Sequence, residues 1–81
     1  MVHVPKSGLV AKFDGQQIRL SSAHCETIVE LRLRGSRGKF DMTALHELCR
    51  QGIAEVNAST RRVCLTQNGE EVYRQLADGK P

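Results

Sequence analysis

Apolar and polar residues alternate through residues 9–20, on both sides of Asp14-Gly15. This dipeptide predicts a two-residue hairpin turn, because Gly adopts positive φ freely and Asp does so more readily than most residues. Folding at this turn pairs residues in one register: Phe13–Gln16, Ala11–Ile18 and Leu9–Leu20. These positions share one largely apolar face, because residues directly opposite each other point to the same side of a sheet. The other face carries Val10, Lys12, Gln17 and Arg19.

Residues 23–34 fit two kinds of secondary structure. Ser21 and Ser22 can cap a helix, and the segment is rich in helix-forming residues, which favours a helix. Its core-facing residues would be Cys25, Ile28, Val29 and Leu33. The strict alternation of residues 29–34 is instead typical of a strand. We prefer the helix, and the strand remains the alternative.

A second helix is predicted at residues 42–51, with Asp41 as its N-cap and Gly52 as the residue that ends it. Its inner stripe would be Met42, Leu45, Leu48 and Cys49. Its outer face would carry Thr43, His46, Glu47 and Arg50. Residues 53–56 and 62–65 follow as strands joined by a polar loop, and Thr66 is expected to cap a last helix to about residue 76.

The predicted order of elements is β-β-α-α-β-β-α, which makes the chain an α+β protein. Its 81 residues are enough for one domain with a small core, which we expect at residues 9–77. Residues 1–8 are expected to form a flexible arm, and residues 78–81 a tail.

The amino-acid composition indicates the cellular compartment and the classes of partner to expect. The three cysteines contain no CxxC pair, which favours a reducing cytoplasm over a disulfide framework. No apolar run approaches the roughly 20 residues of a membrane span, so no membrane partner is expected. The net charge of +3 is compatible with a nucleic-acid partner but is not specific to one. The basic set consists of Arg32, Arg34, Arg37, Lys39, Arg50, Arg61 and Arg62.

Two short sequence motifs lie before and after residues 54–61: residues 48–53 (LCRQGI) and residues 62–69 (RVCLTQNG). This pattern resembles the C-terminal half of winged-helix regulators such as the MarR and PadR groups. There a helix ends in a Leu-x-x-x-Gly phrase, a two-stranded wing follows, and Leu-Thr-x-x-Gly opens another helix. Residues 18–22 (IRLSS) are similar to the entry into the first helix in the winged domains of response regulators.

The resemblance implies a small winged-helix regulator of transcription, of the size found in phages and mobile elements, that binds double-stranded DNA. It implies that the helix at 42–51 approaches the major groove, and that the wing at 57–62 and the loop at 35–39 contact phosphates. The implied DNA-binding residues are Thr43, His46, Glu47, Arg50, Arg61, Arg62, Arg37 and Lys39. Small DNA-binding proteins of this type usually form dimers, so a homodimer is also expected.

A helix-turn-helix requires two helices before the wing, and residues 40–52 have room for one. Either the helix at 23–34 is the first member, with a long basic turn after it, or the middle helix of the family is missing. The alternative function is a protein–protein adaptor that keeps the winged shape without reading DNA.

Metal binding and catalysis are the remaining readings of the histidines and cysteines. His24, Cys25, His46, Cys49 and Cys64 match no zinc-binding spacing, and cysteines on apolar faces are usually small core residues. No sequence signature accompanies a Cys–His nucleophile pair. The sequence therefore predicts no enzyme, no cofactor, no metal and no catalytic residue.

Overall fold

The computed structural model describes residue 4 and residues 6–78. Its elements follow the expected order and confirm an α+β chain that opens with a β-hairpin. They are β1 Leu9–Phe13, β2 Gln16–Leu20, α1 Ser22–Arg34, a 3₁₀ turn Gly35–Arg37, α2 Met42–Arg50, β3 Ala54–Val56, β4 Val63–Leu65 and α3 Gln67–Asp78. Of the expected arm and tail, residues 1–3, 5 and 79–81 lie outside the described residues. Val4 packs against the core.

The first hairpin has the register expected from the sequence. β1 and β2 are antiparallel, with Leu9 opposite Leu20 and Phe13 opposite Gln16. Both turn residues have positive φ, 53° at Asp14 and 74° at Gly15. The turn chemistry of Asp-Gly therefore fixed the pairing of the whole hairpin.

Residues 22–34 are helical, so the preferred reading of this segment is confirmed. Ser21 is the N-cap: its Oγ accepts a hydrogen bond from the His24 backbone N–H, and His24 Nδ1 accepts one from the Ser21 N–H. This reciprocal pair satisfies backbone donors that the first turn of a helix leaves free. The helix places the alternating apolar residues of segment 29–34 on different faces: Leu31 is buried, whereas Leu33 is 64% exposed. The expectation that Leu33 faces the core is wrong.

Most helices and strands contribute at least one buried side chain to the core. The largest fully buried side chains are Leu20, Ile28, Leu48, Ile53, Val72 and Cys25. In α2 the inner face consists of Ala44, Leu45 and Leu48, whereas Met42 is 60% exposed. At 100° per residue, Met42 lies more than a quarter-turn from the centre of that face. Its expected place in the inner stripe is therefore wrong.

The start of α3 is locked onto the segment that follows α2. The Thr66 hydroxyl donates to the carbonyl oxygen of Gly52 at 2.5 Å, with the oxygen of Ile53 at 3.1 Å, and accepts from the Gly69 N–H. The Thr66 N–H donates to Ile53 O at 3.0 Å. A Cβ on Gly69 would lie 2.1 Å from that same oxygen. The Leu-Thr-x-x-Gly phrase thus has a physical basis: a hydroxyl that bridges two segments and a glycine that lets them approach.

The described helices are short. The longest, α1, has 13 residues, and no helix within the described part of the chain is both long and apolar enough to cross a membrane.

Replacing Gly69 by alanine should destabilise the protein by about 2 to 3 kcal/mol, because the new methyl group meets a backbone oxygen that cannot rotate away. Urea unfolding followed by circular dichroism measures the loss as a lower midpoint with an unchanged m-value. The control is Gln67→Ala at an exposed position of the same helix, which should stay within about 0.5 kcal/mol of the unmodified chain. Equal stability of the two variants would contradict the close approach at Gly69.

Replacing Thr66 by valine keeps the side-chain volume and removes the hydroxyl. The Gly69 N–H and the Gly52 carbonyl then lose a partner in a half-buried place, so we expect a loss of about 1 to 3 kcal/mol. Thr66→Ser retains the hydroxyl and should lose less than about 1 kcal/mol, the contribution of one methyl group. The same urea titration compares the two. A valine variant that is as stable as the serine variant would show that the bridge contributes nothing.

Candidate nucleic-acid interface

The outer face of α2 carries the four side chains expected there. Asp41 begins the helix, because its Oδ1 accepts from the backbone N–H groups of Thr43 and Ala44. The exposed residues of the face are Thr43, His46, Glu47 and Arg50. Met42, which the sequence reading placed inside, belongs to the same surface, since residues four apart on a helix are neighbours and Met42, His46 and Arg50 form one row.

Glu47 contacts α1 through a histidine. His24 Nε2 lies 3.5 Å from Glu47 Oε1, and the ring of His24 is oriented by its Nδ1 contact with Ser21. The Glu47 side chain is 48% exposed, while that of His24 is 15% exposed. The contact therefore places the carboxylate of α2 beside α1, but it is not a hydrogen bond, and the buried Nε2 atom of His24 has no hydrogen-bond partner within the described residues. Sequence reasoning missed this role of His24, which it considered only as a metal ligand.

A shallow depression of about 350 Å³ lies at the C-terminal end of α2, lined by Glu47, Arg50 and Gln51. The Oε1 atom of Gln51 is buried and accepts no hydrogen bond within the described residues. Gln51 was not among the expected site residues. The available signal was its spacing, since it lies one helical turn after Glu47.

The loop between β3 and β4 is held in a defined shape by Asn57. Its Oδ1 accepts from the backbone N–H groups of Ser59 and Thr60, and its carbonyl oxygen accepts from the Arg61 N–H at 2.7 Å. Arg61 has φ 58°, a left-handed conformation that is costly for residues with a Cβ. Arg61 and Arg62 are both exposed. Two cations are thus presented from an ordered loop, and the strain at Arg61 is not visible in the sequence.

The segment between α1 and α2 contains a single 3₁₀ turn, Gly35–Arg37, where a helix-turn-helix of the expected kind would have a middle helix. The turn packs against β4, which brings Arg37 to the side of the second hairpin. Phe40 anchors the rest of the segment against the core. Arg37 and Lys39 are exposed.

Ion pairs divide the basic residues into two groups. Arg32 binds Glu70 at 3.1 Å and also lies over the Tyr73 ring, 5.5 Å from its centroid. Arg34 contacts Glu30 at 3.4 Å, and Arg74 contacts Glu71 at 3.1 Å. Within residues 6–78 no ion pair is formed by Arg37, Lys39, Arg50, Arg61, Arg62, Lys6, Lys12 or Arg19. Five of the eight belong to α2, the loop before it and the β3–β4 loop.

Two of the cysteines, Cys25 and Cys64, have the opposite character to activated nucleophiles. Burial, together with the nearby Glu26 charge, raises the pKa of the Cys25 thiol to about 11. Desolvation and then Glu55 raise the pKa of the Cys64 thiol, although its side chain is exposed. A nucleophilic thiol needs a lowered pKa. Among the residues that the structure describes, no group of three His, Cys, Asp or Glu side chains lies close enough to hold a metal ion.

Comparison with models of protein families, with curated proteins and with solved structures finds no match to this chain. Any functional role is therefore inferred from the exposed side chains of α2, the loop that precedes it and the β3–β4 loop.

Replacing Arg61 by glycine should raise the stability by roughly 0.5 to 1 kcal/mol, because glycine adopts the left-handed conformation without the steric cost that arginine bears. The matched control is Arg62→Gly, which removes the same charge at a residue with ordinary φ and should lower stability by roughly 0.5 kcal/mol through the entropy of the unfolded chain. Thermal and urea unfolding measure both. Two variants that shift in the same direction would contradict the strain at Arg61.

Proposed function

We propose that the chain is a small winged-helix DNA-binding protein, a transcriptional regulator of the phage or mobile-element type that acts in the cytoplasm. In this proposal α2 approaches the major groove, and the β3–β4 loop is the wing. The loop at 35–39 and the wing contact phosphates on either side. The support is the distribution of charge together with the order of the elements.

The distribution of unpaired cations is the observation that carries the proposal. Phosphate binding requires Lys and Arg side chains that are free to replace condensed counterions. The acidic residues of α1 and α3 engage Arg32, Arg34 and Arg74, whereas the basic residues of α2 and of the two loops form no ion pair within the described residues and are thus available to phosphates.

The outer face of α2 offers the side-chain types that read base edges. Arg50 can donate two hydrogen bonds to guanine, and His46 and Thr43 can donate to or accept from other bases. Glu47 can accept from the amino group of cytosine, and its contact with His24 limits where its carboxylate can lie. We therefore assign base contacts to α2 and position-setting contacts to Arg37, Lys39, Arg61 and Arg62.

The first member of the helix-turn-helix in this proposal is α1. It packs directly against α2, and the intervening segment consists of the 3₁₀ turn and residues 38–41. The long basic turn then replaces the middle helix of the family and supplies two of the phosphate contacts, Arg37 and Lys39. A single domain of this size makes a small interface with DNA, which favours binding as a homodimer on two half-sites.

Replacing Arg61 and Arg62 together by alanine should lower the affinity for mixed-sequence duplex DNA and reduce the salt dependence. The logarithm of the binding constant falls by about 0.9 per phosphate contact for each tenfold increase in salt, so the slope should decrease by about 2. Fluorescence anisotropy with a labelled duplex, measured over a series of salt concentrations, gives both quantities.

The control variant replaces Arg34 and Arg74, whose charges are already paired, and thus removes the same net charge. Its slope should match that of the unmodified chain. An equal reduction in both variants would show attraction by net charge alone. If the unmodified chain does not bind duplex DNA at low salt, the DNA-binding proposal is wrong.

A second candidate function is that of a protein–protein adaptor with the same shape. It is favoured by the exposure of two large apolar side chains, Met42 at 60% and Val56 at 57%, on α2 and on β3. Exposed apolar side chains contribute to protein interfaces and little to phosphate contacts. Val56→Gln, on a strand to which no DNA contact is assigned, would leave DNA affinity within about twofold if DNA is the partner, and would weaken binding clearly if a protein is.

A further inference from the structure

The two edges of the first hairpin differ, and the difference concerns backbone hydrogen bonds. In a hairpin with a two-residue turn, the pair next to the turn exchanges hydrogen bonds and every second pair does so. The N–H and C=O groups of the intervening residues therefore point away from the hairpin. On β1 these are Val10 and Lys12, and on β2 they are Gln17 and Arg19.

The β1 edge is partly closed by α3. The side-chain amide of Gln75 accepts from the Lys12 N–H at 3.0 Å and donates to the Lys12 carbonyl oxygen at 2.5 Å. This pair of bonds imitates one residue of a neighbouring strand. Such a cover is one of the ways in which proteins protect an edge from pairing with another chain.

The β2 edge has no such cover within the described residues. No hydrogen bond from that part of the chain reaches the backbone N–H or C=O of Gln17 or Arg19, and both residues are exposed. Between them, Ile18 is only half-buried against the core. The edge thus combines outward-pointing donors and acceptors with an apolar side chain that a further strand would cover.

We propose that the β2 edge binds an extended segment of a partner protein that carries acidic side chains at alternate positions. The segment adds a third strand to the hairpin, with its backbone bonded to Gln17 and Arg19. Side chains on one face of the added strand meet Arg19, and those on the other face cover Ile18. The partner motif therefore alternates acidic and apolar residues.

Charge selects this occupant. Arg19 is the charged residue of the β2 edge and forms no ion pair within residues 6–78, whereas Lys12 lies on the covered β1 edge. Asp14 is the single acidic residue of residues 6–20. Opposite charges placed across a strand pair stabilise it, and like charges destabilise it. A second copy of β2, paired so that Gln17 of each copy lies opposite Arg19 of the other, would bring the two Arg19 side chains to diagonal positions on one face. The phosphates of a nucleic acid accept hydrogen bonds and do not donate them, so they could pair with the outward N–H groups of β2 and not with its outward carbonyl groups.

The test uses two short capped peptides, one of alternating glutamate and valine and one of alternating lysine and valine, added to the isotope-labelled full chain. We expect the acidic peptide to shift the backbone amide resonances of Gln17 and Arg19 far more than those of Val10 and Lys12. The lysine peptide should have no effect. Shifts confined to α2 and the two basic loops would overturn the proposal, and so would the absence of binding by the acidic peptide.

Two variants test the edge and the charge separately. Arg19→Pro removes an outward N–H that the hairpin does not use, and it should abolish peptide binding. If that variant fails to fold, Arg19→Glu serves alone: it should weaken the acidic peptide about tenfold and allow the lysine peptide to bind. Arg74→Glu makes the same charge change on α3 and should alter the affinity less than about twofold. An equal effect of Arg19→Glu and Arg74→Glu would overturn the proposal. Concentration-dependent broadening of the Gln17 and Arg19 amide resonances without peptide would also overturn it, because it indicates that a second copy binds at the edge.

Discussion

The contact between the start of α3 and the segment after α2 is the constraint on which the rest of the structure depends. Thr66 joins the two segments through both its hydroxyl and its backbone N–H, and Gly69 permits the approach because it has no side chain. Once the first turn of α3 is placed there, Val72 and Leu76 reach the core one and two turns later. A substitution at this contact therefore affects every element that α3 touches.

The sequence predicted those parts of the fold that depend on local chemistry. Asp14-Gly15 determined a register over ten residues, and Ser21 and Asp41 determined where two helices begin. The errors concern which apolar residues of a helix face the core. Leu33 lies about 200° round α1 from the buried Leu31, and Met42 lies more than a quarter-turn from the centre of the buried face of α2. Apolar residues occur on more than one side of each helix, and the side that is covered depends on tertiary packing.

The sequence predicted which residues of the candidate site are exposed, but it did not predict the contacts that they make. The outer positions of α2 followed from helical spacing, and the two arginines of the β3–β4 loop followed from their place between two strands. The contact of Glu47 with His24 joins residues far apart in the sequence, and the left-handed conformation of Arg61 results from the way in which Asn57 folds the loop. Neither the contact nor the conformation of Arg61 is indicated by a pattern in the neighbouring sequence.

Helix α3 determines which surfaces stay available for partners. Its Glu70 and Glu71 pair with Arg32 and Arg74. Among the cations of residues 6–78 that form no ion pair, those that follow the first hairpin lie on α2 and the two loops. Its Gln75 covers the β1 edge and leaves the β2 edge open. The two proposed surfaces belong to different elements and use different chemistry, side-chain charge in one case and backbone hydrogen bonds in the other. Both nevertheless depend on the position of α3, and hence on the contact made by Thr66 and Gly69.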